Sequence, residues 1–384
     1  MLEVSQKFKD NIYAPIRKIT ARIYFTLYGN TKMYDSKIIS LNLLEEMNTI
    51  NNTLPSNELK VTLDNTAGDF NILNLSKQQE IIASRPKIVV EFGLDFEDGS
   101  AIEWVPMGTY FLIEWKNETA AMSISLIGRD NLDMLSQVSY TPIAGSITLY
   151  NLAVDVLTKA GITNYSIDDS LKLITTTGFS DRLDSRTALQ HIGVASKSAV
   201  YQDRNGVIII KPFKVLDQSS NYLSHAGSQR SALGGFYAGA SSYPAVLTDF
   251  DMKIIDYDNI FQEPEVSLEK SPYEVIVNVY EPGGTREVVY INSSINGKNG
   301  ASFKIDNPLI NTESLAAEVA AWIIAESNWN AVYKTVWRQN PILECADVIL
   351  VEDSFDAKKQ TRIFKQEFEF IGYLRGNTES RGGI

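Results

Sequence analysis

The sequence predicts a mainly β chain with α+β character, in which two antiparallel β-barrels flank a small α/β domain. Three observations predict it. Apolar and polar residues alternate over short runs in the first and last thirds, the period of a half-buried strand. In the middle third, apolar residues recur at helical spacing instead. Turn residues punctuate the runs of the first third with no long helix between them, the pattern of a small barrel or sandwich.

Residues 1–17 are expected to form an N-terminal arm and 18–144 the first barrel. From Lys18, the residues Ile19, Ala21, Ile23, Phe25 and Leu27 share one face, and Gly29-Asn30 supplies a turn. Leu59, Val61 and Leu63 alternate in the same way before Asp64-Asn65. Lys87 to Gly93, Tyr110 to Trp115 and Met122 to Gly128 are further strands, with Asp98-Gly99 and Asn117 between them. The period changes near Ser146, and 145–213 is expected to be the α/β domain. Leu149, Leu152, Val156 and Leu157 fall on one helical face, with Gly161 as the C-terminal stop. Asp184 can cap a second helix carrying Leu189, Ile192 and Ala195. Asp203-Arg204-Asn205-Gly206 then joins two apolar runs, and Asn-Gly is a strong hairpin signal.

Residues 214–262 are expected to be a loop-rich connection, rich in Ser, Gly, Ala and Tyr from Asp217 to Pro244. The second barrel is assigned to 263–384 and carries one helix. Its strands are Tyr273 to Tyr280, Arg286 to Ile291, Tyr333 to Arg338, Asp347 to Glu352 and Arg362 to Ile371. Thr312 is the expected N-cap of the helix, with Leu315, Val319, Trp322 and Ile323 as its apolar stripe. No residue-by-residue alignment relates the two β parts.

Composition narrows the function. The 384 residues suffice for two or three domains, and 44% hydrophobic content with 21% charge is ordinary for a folded chain. Lys+Arg 35 against Asp+Glu 47 gives a net charge of -12, which leaves no cation surplus for nucleic-acid phosphates. The single cysteine, Cys345, excludes an intrachain disulfide and suits a buried small hydrophobe better than a nucleophile. No signal peptide, membrane anchor or apolar run near the roughly 20 residues of a bilayer span is found.

Chemistry is equally sparse. The two histidines, His191 and His225, have no partner at ligand spacing, so no metal site is expected. No Gly-x-Ser-x-Gly elbow or phosphate loop is present, and Gly234 to Gly239 lacks the flanking strand and Lys-Ser/Thr. Glu45-Glu46 and Asp168-Asp169 diverge on any regular element and are expected to be solvated surface charge. No catalytic residue and no cofactor is assigned, and the chain is expected not to be an enzyme.

Three stretches resemble the hub proteins of phage tails and baseplates, in particular those of phages and prophages of Gram-positive hosts. They are Asn11 to Ile19, Leu59 to Leu73, and Asn307 to Ile310 followed by a helix and Trp337 to Asp347. Within them Asp64, Asn65, Gly68, Phe70, Trp337, Asn340, Pro341, Glu344 and Asp347 are the residues that carry the likeness. Ala346 stands where the family's tight turn often has Gly, which implies a turn without a positive φ. Trp337 also reads as an ordinary core aromatic.

The resemblance implies tube-like barrels and a homotrimeric ring that adapts a sixfold tail tube to a threefold tip around a central channel. The implied partners are the tail tube or distal tail protein on one face and a separate tip, spike or lysin protein on the other. A tape-measure protein or ejected DNA would pass through without specific binding, in the tail of a virion built in the host cytoplasm. The chain ending at Ile384, soon after its last strand, is the basis for expecting a separate tip, an arrangement of contractile tails and injection particles. A carboxylate-lined channel would repel DNA. In the 217–244 loop, Tyr222, Phe236, Tyr237 and Tyr243 are candidate partner contacts, against a plain flexible connection. A β-rich cell-surface or polysaccharide-binding adhesin is the rival reading, although no internal repeat supports it.

Overall fold

A computed structural model describes residues 1–27, 29–48, 50, 54–68, 75–118, 122–143, 145–212, 251–295, 301–352 and 358–383. The expected N-terminal arm is helical at its centre. In α1 (Gln6–Ile12) the hydroxyl of Ser5 accepts from the Phe8 N–H at 3.1 Å, a side-chain cap on an otherwise orphaned donor. Phe8 and Ile12, one turn apart, are fully buried in the core of the first β unit, so the segment is a plug and not an arm.

That unit contains β1 (Lys18–Leu27), β2 (Asn30–Tyr34), β3 (Ile38–Glu46), β4 (Glu58–Asp64), α2 (Leu75–Ala83), β5 (Lys87–Asp95), β6 (Glu103–Glu118) and β7 (Ser123–Arg129). Alternation places Ile19, Ala21, Ile23 and Phe25 of β1 in the core, with Leu41 and Leu43 of β3 and Leu59, Val61 and Leu63 of β4.

The α/β domain follows as α3 (Asn131–Leu135), β8 (Ser139–Tyr140), β9 (Ile147–Thr148), α4 (Leu149–Lys159), β10 (Tyr165–Ile167), β11 (Thr175–Thr176), β12 (Leu183–Asp184), α5 (Ser185–Ala195), β13 (Ser198–Gln202) and β14 (Ile208–Pro212). Its helix signals are in place. Asp184 accepts from Thr187 N–H at 2.8 Å at the start of α5, and Gly161 takes φ 75° just past α4. Asp130 caps α3, and burial pushes its carboxyl up to about 7 against the hydrogen bonds it accepts from the Asn57 and Leu132 amides.

The last part holds β15 (Ile254–Ile255), β16 (Glu265–Leu268), β17 (Glu274–Glu281), β18 (Gly284–Ile291), β19 (Ser302–Ile305), α6 (Glu313–Ser327), β20 (Ala331–Trp337), β21 (Val348–Glu352), β22 (Lys358–Phe370) and β23 (Leu374–Gly382). The segment 263–384 is not all one barrel. β17, β18 and β19 form their own three-stranded sheet, and its Val275, Val277, Val279 and Ile305 share a core with Leu152, Val156, Leu189 and Ile192 of α4 and α5. Val319 and Ile323 of α6 join that core too, beneath the expected Thr312 cap. Alternation marks which face of a strand is buried but not what covers it, so the sequence pattern assigned these strands by proximity in the chain.

The two β units are joined edge to edge. One path of strands runs β16-β20-β23-β22-β3-β4-β7-β6-β5-β1-β2. The link is β22, whose first half pairs with β21 and whose second half pairs with β3, from Lys365 opposite Glu46 to Phe370 opposite Leu41. The path contains the same arrangement twice. In chain order, strands one, two, four and three lie side by side as β3-β4-β7-β6, and again as β16-β20-β23-β22. Both third strands slip register against the fourth, between Leu112 and Glu114 in β6 and between Ile363 and Lys365 in β22. The equivalence that sequence alone left as a guess is carried by topology.

Candidate functional site

The residues singled out by resemblance occupy one structural position in each unit, the connection that leaves the second strand. In the first unit, Asp64 ends β4 and its carboxylate accepts from Thr66 N–H at 3.0 Å and Thr66 Oγ1 at 3.1 Å. Asn65 is buried, its amide donates to Met122 O at 2.9 Å, and Gly68 turns back at φ 74° to donate to Asn65 O. Phe70 lies outside the described residues, as do His225, Tyr222, Phe236, Tyr237 and Tyr243.

In the second unit, Trp337 ends β20 fully buried, and its indole N–H donates to Thr378 Oγ1 at 2.9 Å. Asn340 Nδ2 donates to the Tyr13 hydroxyl at 3.0 Å and its Oδ1 accepts from Ile342 N–H at 3.2 Å, which ties α1 to this loop. Beside it the Arg17 guanidinium donates to the carbonyls of Ile12 at 3.0 Å and Gln339 at 2.8 Å, and to Arg338 O. Burial and the neighbouring Arg338 charge pull Arg17 down to about 9.

Glu344 and Asp347 bracket a tight turn. Asp347 N–H donates to Glu344 O at 3.1 Å, Glu344 N–H donates to Asp347 Oδ2 at 2.8 Å, and the Met1 amine lies 2.7 Å from Asp347 Oδ1. The expectation for Ala346 fails here. It adopts φ 78° as the third residue of the turn that Asp347 N–H closes onto Glu344 O, and its own N–H donates to Ile363 O at 2.9 Å. A Cβ at that φ is strained, so Ala346→Gly is expected to stabilise the chain by about 1 kcal/mol in urea unfolding. A destabilised variant would mean that Cβ packing outweighs the strain.

The unit-to-unit junction holds a buried charge network that sequence reading missed. Arg204, in the β13–β14 hairpin of the α/β domain, is 3% exposed. Its Nη2 lies 2.9 Å from Glu45 Oε2 on β3 and donates to Leu343 O at 2.5 Å, and its Nη1 donates to Pro341 O. Gln366 Nε2 on β22 donates to the same Glu45 oxygen at 3.2 Å. Three parts of the chain therefore meet on one guanidinium. Burial opposes its charge, but the Glu45 carboxylate, together with Glu344 and Tyr110, holds the group above its ordinary value. Glu45 is 9% exposed, so the reading of Glu45-Glu46 as solvated surface charge is corrected for Glu45. Cys345 lies buried at the same spot with its thiol pushed up by burial, as suits an inert side chain. An arginine in a polar hairpin loop carries no local sign of burial.

Over the outer face of the junction runs a concave groove of ≈ 750 Å³, lined by Leu44, Lys60, Phe261, Glu367, Tyr373 and Arg375 among others. In and beside it, carboxylates are interleaved with cations. Lys365 lies 3.6 Å from Glu46, 3.3 Å from Glu367 and 3.7 Å from Glu379, Arg375 lies 2.5 Å from Glu369, and Arg129 lies 2.6 Å from Glu58. Among the described residues no three His, Cys, Asp or Glu side chains are grouped to hold a metal. His191 is half-buried against the Phe179 ring, with 5.9 Å between centroids.

No family model matches the chain, and no curated protein matches it. Solved structures do. A tail protein from Neisseria meningitidis MC58 superposes with a TM-score of 0.59 at 10% identity, covering 94% of this chain and 96% of that one. A 43 kDa tail protein of prophage MuSo2 from Shewanella oneidensis gives 0.56 at 12% identity, covering 94% and 98%. A prophage tail protein from Listeria monocytogenes EGD-e gives 0.52 at 9% identity, covering 94% of each chain. The chain has the fold of phage and prophage tail proteins over nearly its whole length.

Proposed function

We propose that this chain is the structural hub of a phage-type tail, a homotrimeric ring with a central channel, with an architectural and not a catalytic role. The observation that carries the reading is the duplicated four-strand unit, joined edge to edge within one sheet. Three chains with two such units each make six nearly equivalent positions, and head-to-tail contacts of this kind close into rings.

The ends of the sheet differ in a way that suits an adaptor. At one end the β6–β7 and β22–β23 connections, at Met122 and at Ile371 to Tyr373, occupy the same place in the two units, so that feature recurs twice per chain. The other end leads from Arg129 into the α/β domain, and from Leu268 into the β17–β19 sheet and α6, which occur once per chain. In a trimer the first end offers sixfold features to a tail tube or distal tail protein. The second offers threefold features to a tip, spike or lysin. A tape-measure protein or DNA would pass through the channel.

In this arrangement the concave face is the channel wall, where Leu44, Phe261 and Val336 lie among the cross-strand ion pairs Glu58–Arg129 and Glu369–Arg375. Light scattering on the purified chain at several concentrations tests the reading. A trimer is expected, or a monomer that forms rings on addition of its tube-side partner. A dimer that ignores tail components and binds glycan would favour the adhesin instead.

A further inference from the structure

The ring reading leaves open which surfaces of two copies meet, and the duplicated unit answers it at the level of register. Within the chain, the third strand of the second unit (β22) pairs with the first strand of the first unit (β3). The matching surfaces left over are the third strand of the first unit (β6) and the first strand of the second (β16). Among the described residues β6 pairs only with β5 and β7, and β5 reaches no further along it than Phe111. β16 pairs only with β20.

Superposing the register slips aligns Lys365 of β22 with Glu114 of β6, hence Gln366 with Trp115 and Glu367 with Lys116. Burial agrees. Gln366 and Trp115 point into their cores, and Glu367 and Lys116 are exposed. Cross-strand neighbours carry the alignment onward. Lys334 and Lys365 both face Glu379, as Lys60 and Glu114 both face Ile127, so Glu265 opposite Lys334 matches Asn42 opposite Lys60. Val266 then stands at the position of Leu43, and Leu268 at that of Glu45.

The comparison exposes a vacancy in cover. Leu43 and Glu45 are 3% and 9% exposed because β22 lies beside them, whereas Val266 and Leu268 are 56% and 60% exposed. We propose that β6 of one copy, through Glu114 to Lys116, pairs antiparallel with β16 of a second copy and covers Val266 and Leu268. This reproduces between chains the β22–β3 junction within one.

Applying the internal register sets Trp115 opposite the partner's Leu268 and Lys116 opposite the partner's Ser267. Lys116 then lies diagonal to the partner's Glu265 and the partner's Glu269, a complementary arrangement within reach of a long side chain. Glu114 faces the partner's Glu269, a carboxylate that Arg381 neutralises at 2.6 Å within each copy. Two apolar residues on an exposed edge strand are otherwise an aggregation hazard, and pairing with a second copy removes it.

Because this inference rests on the ring reading, its test separates the two. The Lys116→Cys/Ser267→Cys double variant is oxidised, and its covalent mass is compared with that of each single variant under the conditions in which the native chain forms rings. The expected product is a closed covalent trimer from the double variant only. In parallel, Val266→Asp/Leu268→Asp, both at exposed positions, is expected to keep the native chain's thermal unfolding while losing the ring. Native rings that persist in the Asp variant and give no cross-link in the Cys pair would overturn this interface while leaving the ring intact. A chain that never forms rings, alone or with tail components, would overturn both.

Discussion

Arg204→Met is expected to cost about 3–5 kcal/mol of folding stability, because it leaves the Glu45 carboxylate buried without its cation. The loss is larger than that of a surface ion pair for a geometric reason. One guanidinium serves Glu45 from β3 and the carbonyls of Pro341 and Leu343 from the loop after β20, while Arg204 itself belongs to the α/β domain. Removing it strands acceptors in two other parts of the chain, each of which loses a charge-assisted hydrogen bond. The double variant Arg204→Met/Glu45→Leu is expected to recover much of the loss, since a buried pair replaced by apolar side chains is often near neutral. Urea unfolding of the wild type, both singles and the double checks this as a cycle. Additive costs in the double would show that the pair is not coupled.

Trp337→Ala is expected to destabilise the chain by about 3–5 kcal/mol, the cost of emptying a large buried aromatic site. The indole is fully enclosed among Met47, Ile255, Leu343, Ile349, Val351 and Ile363, and its N–H is satisfied by Thr378. Gly376 lies opposite it on β23, so close to β22 that a Cβ there would come within 1.9 Å of Glu367 O. Trp337→Phe keeps most of the volume and is expected to lose less than half as much. Thr378 would still accept from Gln339 Nε2 at 3.2 Å. Thermal unfolding of the purified chain decides between the two roles open to this tryptophan in the sequence. A partner anchor would leave stability unchanged and weaken assembly alone.

Much of the local structure was legible from residue patterns. Thr312, Asp184 and Gly161 act where their chemistry predicts, since capping depends on residues within a turn of one another. The Asp203 to Gly206 hairpin, the Asp64-Asn65 turn and the alternating faces of β1 and β4 are of the same kind. The helix in the first 17 residues was missed because its apolar pair, Phe8 and Ile12, is too short a stripe to register as a period. The site itself was only half legible. The described residues singled out by resemblance lie in the two equivalent connections, but nothing local marked Arg204 as buried.

By itself, then, the sequence determined a β-rich chain, most of its helix caps and turns, and the face that each strand buries. Only the tertiary structure decided which strands share a sheet: that β22 leaves its own unit to pair with β3, and that β17 to β19 and α6 complete the α/β core. It also decided that Ala346 takes a positive φ in the turn closed from Asp347 to Glu344, and that Glu45 is held by Arg204 instead of by water. The physical reason is the range of the interactions. Caps, turns and alternation are set by neighbours along the chain, whereas strand pairing and buried charge depend on groups 159 residues apart, as Arg204 and Glu45 are, that meet only in the folded chain.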